Sequence, residues 1–523
     1  MQLTQERRKN KMKVIIVGGV AGGATAAARI RRLDEHAEIT VFERSGYISY
    51  ANCGLPYYIG DVITDPEELT LQTPESFFKR FHINMKIYHE VISIHPDRRT
   101  VSVKNLENGE IFEENYDKLI LSPGAKPTQP RLPGVGIDKL FTLRTVEDTF
   151  RIKEYINKNH PKSAVLAGGG FIGLELAENL RELGMDVTIV QRPKQLMNPF
   201  DPDMASMIHN EMRKHGIKLV LGYTVEGFKE KDNGVEVLLK DNPSLQADMV
   251  VLAIGVTPDT VLAKEAGLEL GIKESIVVND RMETSVPDIY AAGDAVQVKH
   301  YVTGNDALIS LAGPANKQGR IIADNICGGD SRYLGSQGSS VIKVFDMTAA
   351  TTGINETNAK KSGLEVDTAI HAGLNATQLE DLDLAYAPPY SSAKDPVNMA
   401  GFMIDNIAKG TLKQWHLEDM DKISKDKDVV LLDVRTVGEF SRGHIDGFKN
   451  IPVDELRERN SEIEKGKPVY LICQSGLRSY IASRILEGNG YETYNFSGGF
   501  RFYDAVVNDR ALIERAYACG MDY

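Results

Sequence analysis

The chain has 523 residues, and at about 150 residues per domain this length predicts three to four domains. Lysine and arginine number 61 against 73 acidic residues, so the net charge of −12 provides no sequence-wide basic field for nucleic acid. Hydrophobic residues make up 42% and charged residues 26%, which is globular composition, and no apolar run approaches the ~20 residues of a membrane helix. We therefore expect neither a nucleic-acid nor a membrane partner.

Cysteine usage indicates a reducing compartment. The four cysteines are too few for a disulfide framework in so long a chain, and none forms a Cys-x-x-Cys pair. We expect a cytoplasmic protein without a metal site, in which each cysteine is either a small buried hydrophobe or a reactive thiol. The four are Cys53, Cys327, Cys473 and Cys519.

Residues 1–12 are interpreted as a dispensable leader. The basic stretch 7–9 is followed by only four apolar residues, 14–17, whereas a signal peptide needs about 7–15. From residue 14 to about 325, short apolar strands alternate with helical patterns. This alternation predicts βαβ units and parallel sheets.

The first strand leads into a glycine-rich turn and an alanine-rich helix. Gly18, Gly19, Gly22 and Gly23 lie in this turn, but Val20 occupies the middle position of Gly-x-Gly-x-x-Gly. A tight strand-to-helix turn without a ligand is the alternative interpretation. Glu43 ends the next strand, where a ribose-binding acid belongs, and this favours a dinucleotide site.

A second turn, at Gly168, Gly170 and Gly173, matches the dinucleotide pattern completely. Its glycines permit a tight turn, close approach of a pyrophosphate and close helix packing, with the phosphates at the helix N-terminus. The next strand ends in Gln191 followed by Arg192 rather than in an acid. NADH and NADPH therefore both remain open.

Two further segments resemble the flavin-binding parts of disulfide reductases with two dinucleotide domains. Residues 284–294 resemble the signature whose Asp, here Asp294, bonds the ribityl chain, and 122–125 resemble the crossover that leaves the first FAD segment. FAD and a nicotinamide dinucleotide are the implied cofactors. The predicted cofactor-binding residues are Gly18, Gly19, Gly22, Gly23, Glu43, Arg44, Ser122, Gly124, Asp294, Gly168, Gly170, Gly173, Gln191 and Gly255.

Cys53 is the candidate redox thiol. It lies just before a predicted helix start, where the helix dipole and free amides stabilise a thiolate. A buried structural cysteine is the alternative interpretation. No second cysteine is near in sequence, so Cys53 would cycle through a mixed disulfide, a persulfide or a sulfenic acid.

Residues 13 to about 405 resemble the single-cysteine pyridine nucleotide-disulfide oxidoreductases, which include coenzyme A (CoA) disulfide reductases, NADH oxidases and NADH peroxidases. The blocks 52–57 and 386–396 carry this resemblance. It implies that Cys53 is the nucleophile, and that Tyr386 and Lys394 reach the flavin and CoA site of a partner subunit in a homodimer. The resemblance implies several strands at the point where Asp367 runs directly into Thr368, which predicts a gap of a few dozen residues there, and whether this gap is real stays open.

The CoA site is expected on the first helix and beside the thiol. Thr25, Arg29 and Arg32 share one helix face by their spacing, and arginines suit the phosphates of CoA. A solvated charged face that includes Arg31 is the alternative. With the resemblance, the predicted substrate-binding residues are Thr25, Arg29, Arg32, Ser49, Asn52, Lys79, Arg80 and Lys394.

The C-terminal segment has a strand, a cysteine loop and a helix in succession. This order places backbone amides and a helix N-terminus around Cys473, as a cradle for an anion or persulfide, and Arg478 adds a donor. The segment resembles a rhodanese domain with Cys473 as its sulfur-carrying nucleophile. An inactive docking module is the alternative, while Cys327 and Cys519 are expected to be inert.

The predicted fold is α/β, with two Rossmann-like dinucleotide-binding domains, a truncated-looking α+β interface domain and an α/β rhodanese domain. The predicted function is NAD(P)H-dependent reduction of CoA disulfide and of CoA persulfide or polysulfide, fed by sulfane-sulfur donors. An NADH oxidase or peroxidase and a non-catalytic redox sensor are the alternatives. The predicted divisions are 1–12, leader; 13–125 and 254–330, FAD-binding; 126–253, NAD(P)H-binding; 331–406, interface; 407–422, linker; and 423–523, rhodanese.

Overall fold

The structure is a computed structural model that describes residues 11–232, 234–364, 395–504 and 507. Its N-terminal part begins with short apolar strands separated by helices. The elements are β1 (Lys13–Val17), α1 (Ala21–Leu33), β2 (Glu38–Phe42), α2 (Leu55–Ile59), α3 (Pro74–Phe81), β3 (Asn84–Lys86), β4 (His89–His95), β5 (Thr100–Asn105), β6 (Ile111–Asn115), β7 (Lys118–Leu121) and β8 (Ala125–Pro127).

A second group of elements follows a short connection. They are β9 (Leu140–Thr142), α4 (Val146–Asn159), β10 (Ser163–Ala167), α5 (Phe171–Glu182), β11 (Asp186–Gln191), α6 (Pro202–Lys214), β12 (Lys218–Leu221), β13 (Val225–Lys231), β14 (Gly234–Leu239), β15 (Asn242–Ala247) and β16 (Met249–Leu252). The chain then forms β17 (Val256–Pro258), α7 (Val261–Glu265), β18 (Ile289–Ala291), β19 (Val298–Lys299), β20 (Asp306–Ala307) and α8 (Ala312–Ile326).

Two five-stranded parallel sheets organise these residues. The first has the order β18-β7-β1-β2-β3, and the second has β12-β11-β10-β16-β9. Their central strands are apolar and almost entirely buried, as expected for parallel strands covered on both faces. Because β18 joins strands that lie more than 160 residues earlier, the first unit is assembled from two separate stretches of chain. Antiparallel sheets β4-β5-β6 and β13-β14-β15 flank the two units.

The part that follows α8 contains a β-hairpin and two helices. These are β21 (Ser340–Val344), β22 (Met347–Thr351), α9 (Glu356–Lys361) and α10 (Pro396–Ala408). Ile342 and Val344 of the hairpin join the apolar core of the second nucleotide unit. The predicted gap between Asp367 and Thr368 lies outside the described residues.

The C-terminal unit is a third parallel sheet, in the order β23-β27-β26-β24-β25. Its elements are β23 (Gln414–Trp415), α11 (Met420–Ile423), β24 (Val430–Asp433), α12 (Val437–Arg442), β25 (Lys449–Asn450), α13 (Leu456–Arg459), β26 (Val469–Ile472), α14 (Leu477–Gly488) and β27 (Thr493–Phe496). With the three parallel sheets, the predicted α/β fold class is confirmed.

The predicted linker at 407–422 is wrong in its middle. Gln414 and Trp415 form an edge strand paired with β27, and the Trp415 indole N–H donates to the Leu471 carbonyl at 3.2 Å. Trp415 is buried against Phe496. A two-residue strand between polar residues has no detectable periodicity, so its burial comes from tertiary contacts that the sequence pattern does not contain.

None of the helices in the described ranges combines the length and apolar content needed to cross a bilayer.

Candidate nucleotide sites and the two thiols

The two glycine turns have the same backbone geometry. Gly18 and Gly168 have positive φ angles of 97° and 123°. A Cβ on Gly23 would lie 1.9 Å from the Gly18 carbonyl oxygen, and one on Gly173 would lie 2.1 Å from that of Gly168. The helix of each unit therefore packs on its turn so closely that only glycine fits, which is the arrangement that directs helix amides at a pyrophosphate.

The first turn is tightly bordered on its other side. A Cβ on Gly22 would lie 2.7 Å from Ser122 Oγ, and one on Gly19 would lie 3.0 Å from Ile48. Val20, the residue in place of the middle glycine, precedes α1 and does not prevent the turn from forming. In the second turn, by contrast, Gly170 has no neighbour within 4 Å of its Cβ position, so this face of the backbone is open to a ligand.

The strand that follows each turn ends in a side chain that accepts a hydrogen bond from the turn. Glu43 Oε2 accepts from the Gly19 N–H at 2.9 Å, and Gln191 Oε1 accepts from the Gly169 N–H at 3.0 Å. Both predicted ribose-binding positions are thus adjacent to their glycines. Arg44, next to Glu43, forms an ion pair with Asp259 at 2.8 Å.

Asp294 lies beside the first turn, although it is far from it in sequence. Its carboxylate pairs with Arg144 at 2.6 Å, and the Cβ position of neighbouring Gly293 is 3.5 Å from Ser122 Oγ. Gly124 lies there too, with its Cβ position 3.5 Å from Arg144. Arg144 was not predicted, because nothing in the sequence connects it with a carboxylate 150 residues away.

Gly255 follows the end of the second parallel sheet. Gly255 has a φ of +105°, and no atom lies within 4 Å of its Cβ position. Its backbone is therefore open to a ligand directly before β17. Its carbonyl accepts from the Thr128 N–H, so the segment is held by the connection between the two nucleotide units. The cradles and donor sets at both turns fit dinucleotides, and the residues named above would hold FAD at the first and a nicotinamide dinucleotide at the second.

Cys53 is placed between the two nucleotide units. It lies in a 3-10 turn (Asn52–Gly54) directly before α2, as the sequence predicts for a thiol near a helix start. The segment is tied to the first glycine turn, since the Ser49 N–H donates to the Gly19 carbonyl at 2.9 Å. On its other side, Leu55 and Ile59 of α2 belong to the core of the second unit and pack near α4 and α5.

Two predicted substrate-binding residues have buried polar atoms without a hydrogen-bond partner among the described residues: Asn52 Oδ1 and Arg32 Nε. Burial of a polar atom without a partner costs about 1–3 kcal/mol, so natural proteins rarely leave one unless a ligand or water serves it. Burial also lowers the pKa of Arg32 to about 10, and the nearby charges of Arg29 and Arg320 act in the same direction. An anion would satisfy Arg32, whereas Asn52 Oδ1 is an acceptor and requires a hydrogen-bond donor.

The other predicted residues on α1 are committed to protein groups. Thr25 Oγ1 donates to Asn316 at 2.6 Å. Arg29 is buried, pairs with Asp324 at 2.8 Å and donates to Tyr480 of the C-terminal unit at 3.1 Å. The alternative interpretation of a solvated charged face is wrong, because Arg31 is buried too and donates to the carbonyls of neighbouring loops. The role of Arg29 toward CoA stays a prediction.

The remaining predicted substrate residues are dispersed. Lys79 is exposed on α3, whereas Arg80 lies at the C-terminal unit and pairs with Asp454 at 3.5 Å. Ser49 has a positive φ of 47° beside the thiol segment. Tyr386 and Lys394 lie outside the described residues.

Cys473 is the second thiol, and it is fully buried at the end of β26. Its Sγ accepts from the Gly476 N–H at 3.1 Å and from Ser479 Oγ at 3.2 Å. The predicted strand, loop and helix are present around it. Ser479, which the sequence analysis did not single out, adds a side-chain donor to the backbone amide and would stabilise a thiolate there.

Arg478 does not point its donors at Cys473. Its guanidinium forms two hydrogen bonds of 2.7 Å with the carboxylate of Glu439 on α12. This bidentate pair is the main reason that the pKa of Glu439 is lowered to about 2. It joins the starts of α12 and α14 and so holds the cysteine loop between them.

Two further groups of interest are the Cys327 thiol and one polar cluster. Burial raises the pKa of the Cys327 thiol to about 12, in agreement with the expectation that it is inert. Among the described residues, Glu211, His215 and Asp346 lie close enough together to hold a metal ion. The ammonium group of Lys214 is 3.4 Å from both carboxylates and forms ion pairs with them.

Comparisons with known proteins identify the two parts of the chain. Residues 12–319 match the family model of pyridine nucleotide-disulphide oxidoreductases, and residues 416–505 match that of rhodanese-like domains. Coenzyme A disulfide reductase of Staphylococcus aureus is 34% identical over 440 residues, which cover 75% of this chain and 99% of that protein.

Two solved structures resemble nearly the whole chain. Reduced Bacillus anthracis CoADR-RHD is 44% identical with a TM-score of 0.67, covering 96% of this chain and 99% of the other. A NAD-dependent persulfide reductase from A. fulgidus is 34% identical with a TM-score of 0.66, covering 94% and 100%. The family resemblance inferred from sequence is thus confirmed, and the chain belongs to the pyridine nucleotide-disulphide oxidoreductases and has a C-terminal rhodanese-like domain.

Proposed function

We propose that this chain is a flavin-dependent NAD(P)H reductase of CoA disulfide and of CoA persulfide or polysulfide, with Cys53 as its redox nucleophile. The observation that carries this proposal is the position of Cys53, whose segment is hydrogen-bonded to the first glycine turn and packed on the second nucleotide unit. The Cys53 segment therefore lies between the units that carry the two predicted dinucleotide sites. FAD bound at the first turn would take a hydride from the nicotinamide and supply two electrons to the thiol side.

The chemistry of Cys53 follows from the sequence, in which no second cysteine lies close to it. Its thiolate attacks one sulfur of CoA disulfide, so a Cys53–CoA disulfide forms and one CoA thiolate leaves. Two electrons then cleave this mixed disulfide and return Cys53 and a second CoA as thiolates. With CoA persulfide the same attack breaks the sulfur–sulfur bond, and CoA and sulfide are the two products.

Asn52 Oδ1 can accept from an amide N–H of the CoA pantetheine arm, and Arg32 can donate to a CoA phosphate. Arg32 offers a charged donor that has no carboxylate partner in the described residues, and it lies on α1, which starts at the first glycine turn. Phosphates are the groups that arginine binds best. The pantetheine arm would then extend from α1 toward Asn52 and Cys53.

The rhodanese-like domain extends this activity to sulfur supply. The Cys473 thiolate attacks the outer sulfur of a donor such as thiosulfate, so the donor's sulfur–sulfur bond breaks, a Cys473 persulfide forms and sulfite leaves. Gly476 and Ser479, which bond the Cys473 sulfur, would hold this persulfide, and attack by a CoA thiolate then gives CoA persulfide and returns the Cys473 thiolate. CoA persulfide is then the substrate of Cys53. We place the protein in the cytoplasm as a homodimer, in which Tyr386 and Lys394 reach the partner's site.

The test of the redox thiol is anaerobic turnover of NADPH or NADH with CoA disulfide. Replacement of Cys53 by Ser is expected to abolish turnover and the mixed disulfide seen by mass spectrometry, whereas Cys327→Ser, a matched control at an unreactive thiol, retains both. Turnover by the Cys53→Ser protein would overturn the proposal. Oxygen or peroxide consumption without CoA disulfide reduction would instead favour an oxidase or peroxidase.

The test of the relay is sulfide release from thiosulfate in the presence of CoA. Cys473→Ser is expected to abolish release from thiosulfate but to leave reduction of added CoA persulfide intact. If thiosulfate-fed release survives in Cys473→Ser while Cys53→Ser loses it, the relay is wrong.

A further inference from the structure

The predicted nicotinamide dinucleotide site and the predicted FAD site can be compared at the end of the strand that follows each glycine turn. Both strand ends present an oxygen to a glycine N–H: Glu43 Oε2 to Gly19, and Gln191 Oε1 to Gly169. An N–H can only donate, so the Gln191 amide must turn its carbonyl oxygen toward Gly169 and its NH₂ group away. The two sites therefore differ in what remains for a ribose.

At Glu43 the second carboxylate oxygen, Oε1, accepts from the Ser45 N–H at 2.9 Å, and each carboxylate oxygen keeps a further lone pair that can accept from a ribose hydroxyl. At Gln191 the remaining group is an NH₂ donor. A donor suits the oxygens of a 2′-phosphate, which are acceptors, better than a ribose hydroxyl that an acid would bind.

The arginines that follow the two strand ends differ in whether a carboxylate pairs with them. Arg44 follows Glu43 and forms an ion pair at 2.8 Å with Asp259, a carboxylate that also pairs with Lys126 at 2.9 Å. Arg192 follows Gln191, is exposed, and has no ion-pair partner among the described residues. A cation without a carboxylate, next to the ribose position, is available to a phosphate.

Lys194 adds a second cation at the same edge. Gly222 donates its N–H to the carbonyls of both Gln191 and Pro193, which fixes this loop beside the end of β11. The stem of Lys194 packs on Gly222, with Cγ 3.3 Å from its Cβ position. Lys194 is exposed and likewise forms no ion pair within the described part of the chain.

We infer that this site selects NADPH over NADH, with the Gln191 amide, Arg192 and Lys194 binding the 2′-phosphate of the adenosine. This inference deepens the proposed function. It rests on that function in one respect only, namely that a nicotinamide dinucleotide supplies the hydride. The recognition chemistry concerns a phosphate monoester on the ribose, and is independent of the sulfur substrate.

The experiment is stopped-flow reduction of the bound flavin of the holoenzyme under anaerobic conditions, with no CoA substrate present. The wild-type protein is expected to show a higher second-order rate constant of flavin reduction with NADPH than with NADH. Gln191→Glu places an acid at the end of this strand. The carboxylate repels the 2′-phosphate of NADPH and binds the ribose hydroxyls of NADH. The ratio of the NADPH rate constant to the NADH rate constant is therefore expected to fall at least ~30-fold, which corresponds to about 2 kcal/mol. The matched control is Gln246→Glu on exposed β15, which should leave the ratio unchanged.

A binding measurement separates phosphate recognition from catalysis. Calorimetry of the holoenzyme with 2′,5′-ADP should give binding that weakens at least ~10-fold in Arg192→Gln and in Lys194→Gln, while 5′-AMP binding changes little. Equal or better flavin reduction by NADH in the wild type, or an unchanged ratio in Gln191→Glu, overturns the inference. Because no sulfur substrate is used, failure of the CoA proposal leaves these results interpretable, and the converse holds as well.

Discussion

At the scale of single residues, the arginines of α1 separate into two physical roles. Arg29 is buried in an ion pair with Asp324, whereas the Nε of Arg32 is buried without a partner in the described residues. The sequence predicted that both lie on one helix face, because this depends only on the helical period. It could not distinguish their roles, since Asp324 is 295 residues away.

These two roles predict different effects of methionine at the two positions, on stability at Arg29 and on the KM for CoA disulfide at Arg32. Arg29→Met leaves the Asp324 carboxylate buried and unpaired, and should lower the free energy of unfolding by about 3 kcal/mol. Arg32→Met removes a charge without a counter-ion, and should not lower that free energy, but should raise KM for CoA disulfide at least ~10-fold. Denaturant unfolding and steady-state kinetics measure both. An unchanged KM in Arg32→Met would contradict the assignment of its side chain to CoA.

The Glu439–Arg478 pair predicts a pH dependence. The folded pKa of Glu439 is depressed to about 2, so its contribution to stability is present above the unfolded pKa of about 4.3 and is lost as the pH falls toward 2. Glu439→Gln should therefore cost about 1–2 kcal/mol at pH 7 and progressively less below pH ~4. Fluorescence of Trp415, the single tryptophan of the chain, reports unfolding of this unit.

The control is Glu458→Gln, which removes an exposed carboxylate of the same unit. Its cost should be near zero at every pH. A pH-independent cost for Glu439→Gln would contradict the ion-pair explanation.

At the scale of elements, the glycine turns are the part of the site that the sequence predicted best. Their pattern depends on backbone geometry within a few residues, and positive φ at Gly18 and Gly168 follows from it. Even the turn with Val20 in the middle position keeps the close contact of Gly23 with Gly18. The contacts of Asp294 with Arg144 and of α2, which follows Cys53, with the second unit could not be predicted, because they join distant segments.

Alanine substitutions in the second turn test what each glycine contributes. Gly173→Ala forces a Cβ to 2.1 Å from the Gly168 carbonyl and should destabilise the fold by about 2–4 kcal/mol, since neither backbone can move freely. Gly170→Ala has open space and a negative φ, so stability should change by less than about 1 kcal/mol while KM for the nicotinamide dinucleotide rises. Thermal unfolding and kinetics check both, and a Gly170→Ala protein with unchanged KM would argue against pyrophosphate binding here.

At the scale of the whole molecule, the rhodanese-like unit is docked on the first nucleotide unit. Helix α14, which begins beside the Cys473 loop, packs near α1. Arg457 and Glu35 form a buried ion pair across this contact, and a Cβ on Gly488 would lie 2.5 Å from that of Glu35. The sequence predicted the two units but not their contact, since charged residues at an interface resemble solvated ones in a one-dimensional pattern.

Removal of this ion pair should uncouple the two units. Arg457→Met leaves Glu35 buried and unpaired, so the interface should weaken by about 3 kcal/mol. In the wild type, Trp415 fluorescence and flavin release should report one transition, and in Arg457→Met two. Arg459→Met, which removes only an exposed pair with Glu455 and Glu462, should cost under about 1 kcal/mol and keep one transition. Coincident transitions in Arg457→Met would show that other contacts hold the interface.

The proposed function depends on the reduction by Cys53 of sulfane sulfur that is carried on CoA. The most direct measurement is anaerobic oxidation of NADPH and of NADH with CoA persulfide as acceptor, followed at the nicotinamide absorbance band together with sulfide release. Rapid turnover with one sulfide per nicotinamide oxidised, lost in Cys53→Ser, is the predicted result. No turnover with either nucleotide, in a protein that binds FAD and reduces it normally, would contradict the account.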